Sequence, residues 1–140
     1  MSEESTTPDL VELARRGYES FSRRDLDAVM RDFDGDAVFD LSPTGLGSYE
    51  GQPAIRGFFE DWLGAYEEFQ HEPEQILDLG NGVVFAVLRQ TARPVGSTGY
   101  VQLRHANVGV WVEGLVVRLT HYPDPDEARA AAERLSQERG

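Results

Sequence analysis

Three features are missing from this 140-residue sequence, and each absence removes a class of function. There is no cysteine, which excludes a disulfide framework, a thiolate nucleophile and a cysteine-ligated metal site. There is no lysine either, because all thirteen basic residues are arginine, so a lysine Schiff base is excluded. Acid–base chemistry therefore has to use Asp, Glu, His or Tyr side chains.

The third absence is that of a long apolar run. No segment approaches the length of a transmembrane helix, and the N-terminus lacks the basic start and apolar core of a secretory signal. We therefore expect a cytoplasmic protein. The formal net charge of −12 would repel nucleic acids and anionic membranes, so neither is expected as a partner.

The composition that remains is that of an ordinary globular domain. Hydrophobic residues make up 40% of the chain and charged residues 27%, which is typical of soluble folded proteins. The length suits a single domain with a sizeable core, covering residues 1–140 with no internal repeat or linker. The polar residues 1–6 are expected to be disordered.

Helical patterns dominate the first half of the chain. A first helix is predicted to start at Thr7-Pro8, and Asp25 is placed to cap a second, short helix. The segment Asp36–Ser42 is typical of a strand. A third helix is predicted from Pro53 to about His71. Its broad apolar face would carry Ile55, Phe58, Phe59, Trp62, Tyr66 and Phe69.

Strand patterns dominate the second half. Gln75–Leu79 and Val83–Arg93 flank a glycine-rich turn, and Tyr100–Tyr122 is predicted to form a long antiparallel hairpin. A capping pattern at Asp124 opens a short last helix. Helices followed by a meandering sheet predict an α+β domain, in which a cone-like curved sheet wraps round three N-terminal helices and leaves a cavity. In the predicted strand Val83–Arg93, one face would carry Val83, Phe85, Val87, Arg89 and Thr91.

The hairpin allows two registers. A three-residue turn ending at Gly114 would pair His105 with His121 and keep both on the same face as Asn107. A two-residue turn, Glu113-Gly114, would shift the pairing and send His121 to the opposite face from Asn107. We prefer the first register because of the resemblance described next. Its inner face would be formed by Leu103, His105, Asn107, Trp111, Leu115, Val117, Leu119 and His121.

Four motifs carry a resemblance that covers nearly the whole chain. They are Arg24-Asp-Leu-Asp27, Asp36-Ala-Val-Phe-Asp-Leu-Ser-Pro43, Tyr49-Glu-Gly-Gln-Pro-Ala-Ile-Arg56 and Trp111-Val-Glu-Gly-Leu-Val-Val-Arg118. In this order they resemble the cone-shaped superfamily of nuclear transport factor 2, ketosteroid isomerase, limonene epoxide hydrolase and the SnoaL-like polyketide cyclases. The SnoaL-like proteins are the most similar. The resemblance implies a conical pocket and, in many members, a homodimer formed through the convex face of the sheet.

The resemblance does not imply one activity, because members differ in their catalytic residues. Leu41 and Gly17 stand where ketosteroid isomerase has its general-base aspartate and its oxyanion-hole tyrosine, while Asn107 stands where it keeps a protonated aspartate. Arg89 matches the arginine of limonene epoxide hydrolase, whose aspartates are not retained. The acid–base aspartate of the polyketide cyclases falls at His121.

The candidate catalytic residues are His121 and, as a minor candidate, Asp40. Either His121 moves a proton beside a carbonyl, or it is a strand-end histidine with a structural hydrogen bond. Arg89 is expected either to hold a ligand oxygen or to pair with an acid such as Asp40 or Glu50. No third ligand accompanies His105, so no metal is expected. The candidate ligand-binding residues are Arg89, His105, Asn107, Trp62, Phe58, Tyr66 and Leu119, although aromatic residues at helical spacing are more often core.

Three functions stay open at this stage. The first is a cofactor-free isomerase, cyclase or lyase acting on a small hydrophobic carbonyl compound, in which His121 moves the proton while Asn107 and Arg89 hold the enolate oxygen. The second is a non-catalytic binding protein that uses the same polar groups only to orient an apolar ligand. The third is a dimeric scaffold with a vestigial pocket. The sequence does not name that ligand.

Overall fold

The computed structural model describes residues 9–140. The predicted helix start at Thr7-Pro8 and the expected disorder of residues 1–6 lie outside this range. The helices are α1 Leu10–Ser22, α2 Leu26–Arg31, α3 Gln52–Gly64 and α4 Pro125–Arg139, with a short 3₁₀ helix at Ser42–Thr44. The strands are β1 Phe33–Asp40, β2 Ser48–Glu50, β3 Tyr66–Gly80, β4 Val83–Pro94, β5 Val101–Val112 and β6 Leu115–Tyr122.

Aspartate side chains cap three of these helices. Asp9 accepts a hydrogen bond from the backbone of Glu12 at the start of α1, and Asp124 caps α4. Asp25 accepts from the backbone N of Ala28 at 3.1 Å, which confirms the predicted cap of α2. Such caps satisfy backbone N–H groups that have no partner within the helix, so these three positions define where the helices begin.

The six strands form one curved sheet in the order β2-β1-β6-β5-β4-β3. Strands β1 and β6 are parallel, and the other neighbours are antiparallel. Helices α1, α2 and α3 cover the concave face, and α4 packs on the convex face. The predicted α+β architecture is therefore confirmed. The resemblance implies a homodimer formed through the convex face, and α4 covers part of that face. Dimerisation stays a prediction.

The sheet separates two hydrophobic cores. The convex core is small and consists of strand residues packed against alanines of α4, namely Val83, Phe85, Val87, Ala106, Val108, Ala128 and Ala132. The concave core is larger and rich in aromatic rings, many of them in edge-to-face contact around Phe21 and Phe59. Among residues 9–140, no helix is both long enough and apolar enough to span a bilayer.

The predicted extent of the third helix is wrong. Helix α3 ends at Gly64, and Tyr66–Gly80 is the strand β3, in which Phe69 and His71 are buried and their neighbours are exposed. The glutamates and glutamines of this segment favour helix, but pairing along the whole of β4 stabilises the strand instead. Pro73 is tolerated because β3 is an edge strand, where a missing N–H costs no ladder hydrogen bond.

Neither predicted register of the last hairpin is correct as it stands. The turn has two residues, Glu113 and Gly114, both with positive φ, and not the preferred three. Trp111 of β5 pairs with Val116 of β6, but the preceding Val110 pairs with Arg118. Val117 therefore has no partner on β5 and forms a one-residue bulge. This bulge returns His121 to the concave face.

The bulge also changes the partners of the two candidate residues. His121 lies opposite Asn107 and not opposite His105 as predicted. Leu115 and Val117 are absent from the cavity wall, where Val116 stands in their place. Leu103, also predicted on the inner wall, lies beyond the end of β6 with 50% of its surface exposed.

Candidate functional site

A cavity lies between the concave face of the sheet and helices α1, α2 and α3. Together with the solvent space at its open mouth, it contains about 720 Å³ that no protein atom fills. Most of its wall is apolar and much of it is aromatic, including Phe21, Phe33, Phe39, Phe59, Trp62 and Trp111. The polar side chains on the wall are Tyr18, Asp32, His71, Asn107 and His121. Gly17 and Gly109 also line the cavity. A Cβ atom at Gly17 would meet no atom within 4 Å, whereas one at Gly109 would lie 3.2 Å from Trp111 Nε1.

A chain of hydrogen bonds runs along one part of this wall. Asn107 Nδ2 donates to the hydroxyl of Tyr18 at 3.1 Å, and Asn107 Oδ1 lies 2.9 Å from His121 Nδ1. Asn107 is only 5% exposed. Since β5 and β6 pair Asn107 directly with His121, and α1 crosses above them with Tyr18, the three side chains are held together by three separate elements.

The hydrogen-bond roles leave two groups available for a ligand. With Asn107 Oδ1 as acceptor, His121 carries its hydrogen on Nδ1 and keeps a lone pair on Nε2. The Tyr18 oxygen already accepts from Asn107, so its own hydrogen is free to be donated. Rotating the amide by half a turn exchanges the two roles. In either arrangement the chain offers one donor and one acceptor.

All three histidines of the sequence meet beside this chain. His71 Nε2 and His105 Nε2 are 2.7 Å apart, a distance that requires one nitrogen to donate and the other to accept. The ring centroids of His105 and His121 are 4.5 Å apart, and their planes are tilted by 58°. Within residues 9–140, Nδ1 of His71 is buried without a hydrogen-bond partner. The cluster is therefore a group of three neighbouring imidazoles, of which His71 and His105 are buried.

Burial keeps these histidines neutral. It lowers the pKa of His121 to about 4 and, together with positive charge on His121, lowers the pKa of His105 to about 3. The pKa of His71 is held well below its usual value by burial and by the two neighbouring rings. Burial also raises the pKa of Tyr18 to about 12. At neutral pH the site therefore contains neutral imidazoles and a protonated phenol.

The described part of the chain contains no group of three or more His, Asp, Glu or Cys side chains arranged to hold a metal ion. The three histidines are close together, but two of them point their Nε2 atoms at each other. Their lone pairs are therefore not free to converge on one point.

The structure brings together part of the predicted site. His121, Asn107, Trp62 and Leu119 line the cavity, and His105 is buried behind His121. Phe58 and Tyr66 are absent from the cavity wall and pack against the outer part of the aromatic core.

Two predicted site residues face away from the cavity. The expectation that Arg89 points inward is wrong, because its side chain is 53% exposed on the convex side and pairs with Glu74. Both faces of β4 are covered at Val83–Leu88, so the alternation there does not show which face is inner. Asp40 lies on the convex side, where burial tends to raise its pKa but hydrogen bonds from Ser42 and Arg118 lower it below its usual value.

Two residues of the site were missed in the sequence. Tyr18 lies four residues after Ala14 and three before Phe21, so its helical spacing already placed it on the buried face of α1. His71 was assigned to the end of a helix. The alternation of Phe69, His71 and Pro73 after a glycine at position 64 was the signal that a strand would bury it.

The fold defines the class of protein, an NTF2-like α+β domain with a cavity on the concave face of its sheet. The chain belongs to the SnoaL-like domain family, whose pattern matches residues 14–119. This confirms the family inferred from the motifs. No curated protein is similar enough in sequence to be matched to the chain.

Solved structures show the same fold at low sequence identity. Bal32a, from a soil-derived mobile gene cassette, is 24% identical with a TM-score of 0.70, over 79% of this chain and 86% of its own. An NTF2-like protein of unknown function from Burkholderia pseudomallei is 21% identical with a TM-score of 0.72, over 86% and 95%. SalBIII, an epoxide hydrolase/cyclase-like enzyme in pyran ring formation of salinomycin, is 20% identical with a TM-score of 0.69, over 79% and 87%.

Proposed function

We propose that this protein is a cofactor-free enzyme that transfers a proton next to the carbonyl group of a small hydrophobic compound. The observation that carries the proposal is the Tyr18–Asn107–His121 chain on the wall of an aromatic cavity. It provides a base and a hydrogen-bond donor side by side. Removal of a proton beside the carbonyl is a general-base step that an isomerase, a cyclase or a lyase can each use to begin its reaction.

In this mechanism His121 Nε2 accepts the proton from the carbon next to the carbonyl. The electron pair of the broken C–H bond moves onto the carbonyl oxygen, which becomes an enolate. Tyr18 donates a hydrogen bond from its hydroxyl to that oxygen, a role predicted from the sequence for Asn107 and Arg89. Asn107 positions both groups and stabilises the imidazolium through its Oδ1 atom.

The surroundings suit this chemistry. Neutral His121 is a free base at neutral pH, because burial lowers its pKa to about 4. The imidazolium and enolate form together as an ion pair, and a low-dielectric cavity strengthens their attraction. SalBIII, a structural neighbour, is described as epoxide hydrolase/cyclase-like, which agrees with small-molecule chemistry on this fold.

The second candidate is a binding protein that orients a ligand without converting it. The neutral state of all three imidazoles favours it, because a base with a pKa of about 4 has little driving force to remove a carbon-bound proton.

Deuterium exchange separates the two candidates. The probe is 2-acetylnaphthalene in heavy water, with exchange of its methyl protons followed by NMR. Binding is followed by tryptophan fluorescence, because both tryptophans of the chain, Trp62 and Trp111, line the cavity. We expect His121→Gln to slow the catalysed exchange by about 100-fold with little change in affinity.

Thr120→Val is the matched control, since Thr120 is adjacent on β6 and pairs with Val108 of the convex core. It should exchange like the wild type. Exchange that survives in His121→Gln would disprove the proposed base, whereas tight binding with no exchange in the wild type would support the binding protein.

A further inference from the structure

Asp32 has an unusual place on the cavity wall. It ends α2 and leads directly into β1, and its backbone carbonyl accepts a hydrogen bond from Val116 N at 2.8 Å. Within residues 9–140, its carboxylate has no hydrogen bond or ion pair. Only the more distant charges of Arg16 and Arg31 act on it.

The fold does not favour a carboxylate at this position. Asp32 follows the last turn of a helix, where the backbone carbonyls already present partial negative charge. Its neighbours on the wall, Val29 and Phe33, are apolar. Burial raises the pKa of Asp32, and the two arginines offset this only in part. A partly buried carboxylate kept without a partner indicates a function more than a contribution to stability.

The cavity therefore has a polar group at each end. Asp32 lies beside Val116 at the start of β6, and His121 lies five residues further along the same strand. Five residues of extended strand span up to about 16 Å. Apolar and aromatic side chains fill the wall between the two ends, among them Phe39, Trp111 and Leu119.

We propose that Asp32 binds a hydroxyl group at the far end of the ligand, whose carbonyl oxygen lies at Tyr18 and His121. The proposal rests on the proposed function and narrows its substrate class to elongated aromatic or polycyclic ketones with a distal hydroxyl. An ionised carboxylate only accepts hydrogen bonds, so it selects a donor and rejects a second carbonyl. A hydrogen bond to a charged acceptor is also stronger than one to a neutral group.

A pair of matched ligands tests the proposal. 2-Acetylnaphthalene and its 6-hydroxy derivative differ only in the distal hydroxyl, and the fluorescence of Trp62 and Trp111 reports the binding of both. We expect the wild type to bind the hydroxy compound about 10-fold more tightly. Asp32→Asn should reduce this preference to about 2-fold.

Asp36→Asn is the control for charge, because Asp36 is exposed four residues further along and is absent from the cavity wall. It should keep the full preference. The urea midpoint of Asp32→Asn gives a second measurement, and we expect it to equal or exceed that of the wild type. A lower midpoint would identify a structural carboxylate and overturn the proposal.

The outcomes also distinguish this proposal from the proposed function. Equal binding of the two ligands by the wild type, or a full preference in Asp32→Asn, overturns the role of Asp32 and leaves proton transfer at His121 standing. If neither ketone binds, the proposed function fails and this inference fails with it.

Discussion

The two faces of the sheet come from the same strands but have opposite properties. On β5, Ala106 and Val108 point to the convex side and are sealed beneath α4 with no polar partner. Their neighbours His105 and Asn107 point to the concave side and belong to the hydrogen-bonded cluster. Alternation along a strand therefore allows one segment to build a dry core on one side and a site on the other.

The difference shows where polar groups are tolerated in this fold. The convex face is closed by small helix residues such as Ala128 and Ala132, which bring the helix close enough to exclude water. The concave face is covered by aromatic rings that leave a hollow lined by Gly17 and Gly109. A ligand can enter only where packing is incomplete.

Deleting Thr120 is the most severe way to break this comparison. The residues after it move up by one position, so His121 takes the convex position opposite Val108 and Asn107 loses its imidazole partner. Leaving the buried Asn107 amide without this partner should cost about 1 to 3 kcal/mol and abolish ligand binding. Urea unfolding and tryptophan fluorescence measure the two effects.

Deleting Val117 also shortens β6 by one residue and is the control for this deletion. Because Val117 is the extra residue of the bulge, its removal keeps Arg118 opposite Val110 and His121 opposite Asn107, so ligand binding should be retained. A Thr120 deletion that binds the ligand normally would show that the direction of His121 does not control binding.

Acidification should affect the concave face first, because the convex core contains no histidine. The histidines have an ordinary pKa of 6.5 when exposed, and their folded pKa values are lower, so the unfolded chain binds protons first. Stability should be greatest above pH 6.5 and fall toward pH 4, by up to about 1.4 kcal/mol per pH unit for each histidine.

Urea unfolding across this pH range measures the slope, with His105→Gln as the comparison. Removing one titrating imidazole should make the dependence shallower by a comparable amount, while the aspartates and glutamates titrate equally in both proteins. An unchanged slope would mean that His105 is not kept neutral by the fold.

Substitutions of Gly17 have the smallest expected effect on stability, and they test which part of the cavity the ligand occupies. A Cβ atom at this position would meet no atom within 4 Å, so Gly17→Ala should stabilise α1 by about 0.5 to 1 kcal/mol. Gly17→Leu should extend into the cavity and weaken the binding of 2-acetylnaphthalene by about 10-fold.

Gly57 is the matched control on α3, since it too has free space around its Cα and does not line the cavity. Gly57→Ala should gain similar stability, and Gly57→Leu should bind the ketone like the wild type. If Gly17→Leu also binds normally, the ligand occupies another part of the cavity.

Much of the fold could be predicted because its signals are local. Asp25 was recognised as a helix cap from its position before an apolar run, and Glu113-Gly114 marked the last turn. Asn107 and His121 were also placed together correctly, but through a register that the structure does not have. The bulge at Val117, which produces their contact, has no clear local signal.

The rest of the site depended on information that is not local. His71 was missed because its segment favours helix, and only pairing with β4 makes it a strand. Arg89 was misplaced because both faces of its strand are covered, so alternation did not reveal the inner face. Asp32 gave no pattern at all, since apart from Val29 and Phe33 the residues that line the cavity with it come from distant elements such as α1, β5 and β6.

The sequence by itself determined the family, the order of the four helices and of every strand except β2, and the absence of lysine and cysteine chemistry. These follow from composition, spacing and capping, which depend on a few neighbouring residues. Only the tertiary structure decided which side chains share the cavity, because one extra residue in a strand reverses the direction of every side chain beyond it. The neutral state of the three histidines was likewise decided by burial among residues distant in the chain.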